Sequence, residues 1–130
     1  MDISEKYILM CSKATEIQEK YNLSHKGDWF CHVTNIIIVC NKDTTQKAGV
    51  WLPRQDQLQE IYKEDKQFSI YQLSLRVHVL AKDTTMAGVM SEQFQKDFGE
   101  ITFEKLWLIA IMQDNYSKEW SEEKRDWTNV

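Results

Sequence analysis

A single proline and four glycines in 130 residues leave little material for long flexible linkers. Positive charge is also in the minority. Sixteen Lys and Arg stand against twenty Asp and Glu, a formal net charge of −4. That balance disfavours nonspecific attachment to nucleic acid or anionic lipid. No apolar run reaches the roughly 20 residues of a membrane span. None of signal-peptide length follows the acidic start at Asp2 and Glu5, so a cytoplasmic protein is expected. Cys11, Cys31 and Cys40 are an odd number without metal-type spacing, which predicts free thiols in a reducing compartment. A glycine-rich phosphate loop, a Gly-x-Ser-x-Gly elbow and a His-Glu-x-x-His pair are all missing. The common local signatures of an enzyme are therefore gone, and no cofactor or metal is expected.

What the chain does have is periodicity. Ile3, Tyr7, Met10, Ala14, Ile17 and Tyr21 step by four and three, which predicts one amphipathic helix over 2–21. Asp2 followed by Glu5 has the form of a capping box. The β-branched and aromatic run at 29–40 predicts an interior strand, and 48–52 a second one. Pro53 forces Leu52 to be extended and fits a first helical position, so a helix is expected over 53–64. From 70 to 81 the pattern alternates. Tyr71, Leu73, Leu75, Val77 and Val79 share one parity, while Gln72, Ser74, Arg76 and His78 share the other, as in a strand with one wet face. Thr102 reads as an N-cap for a helix over 102–115 that is apolar on most sides. A charged tail follows, 117–130, expected to be loosely packed.

These elements predict a single α+β domain built on a mainly antiparallel sheet of three to five strands, covered by about three helices. Ile37, Val39, Leu58, Leu75, Val77, Leu106 and Ala110 are the expected core.

Candidate chemistry is thin. Cys31, His32 and Cys40 could ligate zinc only if the fold converged them, and neighbours on a strand face opposite ways. Glu16 with Glu19 and Glu123 with Asp126 have the spacing of acidic metal-site pairs but stand too far apart in sequence. A short echo, Lys42-Asp43-Thr44-Thr45 and Lys82-Asp83-Thr84-Thr85, reads as two turns, with Asp43 and Asp83 as an alternative ligand pair. Arg54 falls on the apolar side of its helix. It must pair inside its own chain or face a partner beside Trp51 and Gln55.

Several segments together are familiar: Lys13-Ala14 with Glu16-Ile17-Gln18, Gly27-Asp28-Trp29, Val50 through Glu60, and Leu106-Trp107-Leu108 with Met112, Tyr116 and Trp120. In these the chain resembles a group of small uncharacterised proteins of bacterial phages and prophages. The Trp51–Glu60 run, WLPRQDQLQE, is the most specific part. The resemblance implies a phage origin and a host bacterial cytoplasm, and carries no activity with it. The expected function is a non-enzymatic interaction module that acts on host machinery or associates with itself. A binder of small molecules such as a signalling nucleotide, using Arg54, Arg76 and His78, is the first alternative. A small enzyme using Asp43 and Asp83 is the second.

Overall fold

The computed structural model describes residues 1–21, 27–32, 37–39, 49–66, 71–72, 74–76, 78–79, 96, 99–100 and 102–130. They gather into two compact units, Met1–Arg54 and Gln55–Val130.

In the first unit the expected long helix is two short ones, α1 (Glu5–Lys13) and α2 (Thr15–Glu19). The break falls at Ala14, whose φ of −84° and ψ of 73° leave the helical region. The cap also differs from the sequence reading. Ser4, not Asp2, closes α1, its hydroxyl accepting from the Tyr7 N–H. Asp2 instead takes the Ser4 N–H, 2.9 Å away, as short acidic side chains do two residues upstream. The periodic stripe is nonetheless buried at Tyr7, Met10, Ala14 and Ile17, while Ile3 stays exposed.

The run at 29–40 is not one strand. Trp29–Cys31 (β1) pairs antiparallel with Ile37–Val39 (β2), so the chain reverses between them. Val50–Leu52 (β3) pairs antiparallel with the other side of β1, Trp29 opposite Leu52 and Cys31 opposite Val50. The order β2-β1-β3 makes β1 the interior strand. On the side of β3 away from β1, the Gln18 carboxamide takes both backbone groups of Trp51. Its Oε1 accepts from the Trp51 N–H and its Nε2 donates to the Trp51 carbonyl, each at 2.9 Å. A second bond from Nε2 reaches the Cys11 carbonyl at 3.2 Å. One side chain thus stands where a neighbouring strand's peptide group would. Pro53 is buried, and its carbonyl accepts from the Tyr7 hydroxyl at 2.7 Å.

The second unit opens with α3 (Gln55–Lys66), two residues later than the proline predicts. Phe103–Tyr116 forms α4, capped as expected by Thr102, whose hydroxyl accepts from the Lys105 N–H. Lys105 through Met112 are all buried, which matches a helix apolar on most sides and adds one charged residue to it. Lys105 is in that run because its ammonium donates to the Glu100 carbonyl at 2.7 Å. α3 packs on α4, with the Tyr62 ring edge-on to Trp107 at 5.7 Å.

Two further expectations fail here. Residues 71–72, 74–76 and 78–79 are helical, not extended, and Leu75 is exposed rather than core. The tail is a hairpin. Ser117 ends α4 in the left-handed conformation, after which Lys118–Ser121 (β4) pairs antiparallel with Asp126–Asn129 (β5). Trp120 sits opposite Trp127, ring centroids 5.3 Å apart and nearly perpendicular, the kind of cross-strand pair that stabilises a two-stranded sheet.

The fold is thus α+β with small antiparallel sheets, and the described strands divide between two sheets, β2-β1-β3 and β4-β5, instead of forming one. Of the expected core, Leu58, Leu106 and Ala110 are buried and Ile37 is partly so. The side chains of Val39 and Val77 lie outside the described residues. Cys11 and Cys31 are free and buried; Cys40, Asp43 and Asp83 are outside the described residues.

Candidate functional site

A charged cluster fixes the second unit around Arg76. Its guanidinium grips Asp114 of α4 with both arms, Nε to Oδ2 at 2.8 Å and Nη2 to Oδ1 at 3.0 Å. Nη2 also donates to Oε1 of Gln113 at 2.9 Å. Tyr62 of α3 completes the cluster, its hydroxyl donating to Asp114 Oδ2 at 2.7 Å. A bidentate Arg–carboxylate pair is geometrically demanding, so it sets orientation as well as position. Gln113 and Asp114 are consecutive on α4 and both reach one guanidinium, and Tyr62 comes from the helix packed against them.

Burial first, and then the bond to Asp114, raise the Tyr62 phenol well above its ordinary value of 10. The folded protein therefore holds this proton where the unfolded chain releases it. The associated stability is complete below pH 10 and falls as pH rises from there toward the folded value. Tyr62→Phe is expected to cost about 1.5 kcal/mol at neutral pH, through the lost bond to a carboxylate. It should also flatten the alkaline arm of a stability–pH curve. An alkaline arm identical in Tyr62→Phe and wild type would show that Tyr62 does not carry the effect.

With Arg76 turned inward, the same helical stretch shows a different face outward. Tyr71, Leu75 and Val79 recur every four residues and are 71%, 45% and 45% exposed. Their described neighbours Gln72, Ser74 and His78 are exposed too, and none bears a negative charge. Three large apolar side chains at helical spacing on a solvent face make a stripe of the kind that docks into a groove.

The first unit holds an apolar groove of about 690 Å³. Ile8 and Leu9 of α1 line it against Ile37 and Val50 of the sheet, with Ile3 beside them and Glu5 as its acidic side chain. Its α1 positions, Glu5, Ile8, Leu9 and Ser12, follow the helical repeat one step round from the buried stripe at Tyr7, Met10 and Cys11. The sequence reading missed this second face. Its signal was the unbroken apolar run Tyr7-Ile8-Leu9-Met10-Cys11, too wide for a helix with one apolar stripe.

The residues singled out in the sequence do not converge. Trp51 is buried in the first unit, its ring 5.3 Å from Tyr21, so its indole belongs to the interior. Arg54 takes the internal solution, with Nη1 at 3.1 Å from the Gly27 carbonyl and 3.3 Å from Oδ1 of the buried Asp28. Gln55 opens α3 in the other unit. Arg76 is held by Asp114, while His78 is exposed on the helical stretch. Cys31 is buried and His32 exposed, and the described residues contain no group of three side chains able to hold a metal ion.

No protein-family model, curated protein or solved structure matches the chain.

Proposed function

We propose that this protein is a non-enzymatic interaction module that works by presenting the Tyr71–Leu75–Val79 stripe to a protein partner. The exposed stripe carries this reading: its helical stretch is fixed from behind by Arg76 and Asp114, so the apolar face is displayed on a set orientation. Pre-organisation of that kind lowers the ordering cost of docking. The Trp51–Glu60 run supports a phage or prophage origin and hence a partner in a bacterial host. A nucleotide-binding role is less well supported. Arg54 and Arg76 already engage carboxylates of their own units.

Leu75→Glu tests the reading. An exposed position tolerates this change within about 0.5 kcal/mol, so the protein should stay folded. Recovery of partner proteins from bacterial lysate should fall sharply relative to wild type. The same set of proteins retained by both forms, in the same amounts, would discard the stripe as a docking surface.

A further inference from the structure

We infer that residues 15–21 are a releasable strap across the outer edge of β3, which opens while the sheet beneath it stays folded and bares the backbone of Trp51. The inference is independent of the Tyr71–Leu75–Val79 stripe and lies wholly within the first unit.

The edge is closed by side chains. Backbone groups in an antiparallel ladder alternate from one side of a strand to the other. Trp51 gives both of its own to Gln18, so Val50 and Leu52 are the residues that bond β1, opposite Cys31 and Trp29. Trp51 is therefore the residue of β3 whose N–H and C=O face outward, and one carboxamide satisfies both. The next residue is Pro53, which has no N–H, and its carbonyl is taken by the Tyr7 hydroxyl.

The strap is held less firmly than what it covers. Ala14 leaves the helical region, so α2 is not a continuation of α1. Its five residues are too few for a helix to sustain itself in water. Within 15–21 only Ile17 is buried. The segment is fastened by the Gln18 bonds to Trp51 and to the Cys11 carbonyl. It is also fastened by the Tyr21 ring, edge-on to Phe30 at 5.2 Å and tilted against Trp51 at 5.3 Å. Beneath it, β1 and β3 are paired through their backbones, and Phe30, Cys31, Trp51 and Leu52 are all buried. A native protein opens first where few apolar contacts are buried.

Opening changes what the sheet presents. It frees one donor and one acceptor on Trp51 and uncovers the rings of Phe30 and Trp51. The closed form has a finished edge; the open form has an edge of the kind that pairs with extended chains.

Amide exchange, followed residue by residue by NMR, tests this in the wild-type protein. The Trp51 N–H is protected by Gln18, and the Gln18 and Lys20 N–H groups are bonded to the carbonyls of Ala14 and Ile17. These three should exchange together, at least about tenfold faster than the Leu52 N–H that faces β1. Gln18→Leu keeps most of the side chain's bulk and removes its bonds. It should speed Trp51 exchange by about another tenfold and leave Leu52 unchanged. Trp51 exchanging in step with Leu52 in the wild type would overturn the inference, because the strap would then open only when the sheet does. So would a Trp51 rate untouched by Gln18→Leu while the Leu52 rate shows the sheet intact. If Gln18→Leu does not fold, the wild-type comparison decides alone.

Discussion

Gly49→Ala is expected to destabilise the first unit by roughly 2–4 kcal/mol. Two costs coincide there. Gly49 has a φ of 96°, in the left-handed region where a side chain is strained. A Cβ at this position would also run into the carbonyl oxygen of Cys31 and lie 3.2 Å from the Cα of His32. Both are backbone atoms of β1 or its continuation, and β1 is held on both sides by strands. The clash cannot be relieved by turning a side chain; β3 must shift away from β1, which strains the register that sets Cys31 opposite Val50. Urea unfolding followed by tryptophan fluorescence measures the loss. A midpoint within error of wild type would mean that the β1–β3 approach is looser than described.

Leu106→Ala should cost about 2–5 kcal/mol, for a different reason. Leu106 begins the apolar part of the buried run of α4 and is 2% exposed. Truncating it removes apolar surface from the interior and leaves a cavity that a helix enclosed on most sides cannot easily collapse. The two substitutions lie in different compact units, so the pair also tests the expectation of a single domain. In one cooperative domain, either substitution moves a single shared transition. Units that unfold separately would each lose stability in a transition of their own. Unchanged stability in Leu106→Ala would remove α4 from the centre of its unit.

The parts of this fold that were legible in the sequence are those where only one periodicity fits. Leu58, Ile61 and Tyr62 step at helical spacing, and a helix carries them buried. Thr102 before Phe103 announced its own cap. The stretch around Arg76 was misread because it satisfies two periods at once. Tyr71, Leu75 and Val79 are even steps apart, so they share a face of a strand; they are also four apart, so they share a face of a helix. Length was the better arbiter, since twelve residues from 70 to 81 exceed the usual strand of about 5–6. The difference decides which of these side chains face solvent. Read as a strand, these side chains are core; on a helix anchored by Arg76, they become the outer surface.

The hairpin was hidden for another reason. Its turn, Glu122 to Arg125, has no Asn-Gly or Asp-Gly, and the left-handed position is taken by Arg125 at a φ of 51°. Charge suggested a loose tail, whereas the Trp120–Trp127 pairing carries the structure. The groove was hidden because its wall is made by strands joined in an order that periodicity does not reveal.

Gln18 gives the sheet a chemical lifetime. Its amide supplies one acceptor and two donated bonds at the outer side of β3. Deamidation to glutamate would keep the acceptor for the Trp51 N–H and destroy both donors. The carboxylate oxygen that replaces the amide nitrogen would then face the carbonyls of Trp51 and Cys11, repelling what the amide had held. The strand would be left with a carbonyl open to pairing with any extended chain nearby. An ageing sample of this protein would thus expose a pairing edge before it unfolded, through the change of one amide at a single side chain. Gln18→Glu reproduces that product in fresh protein.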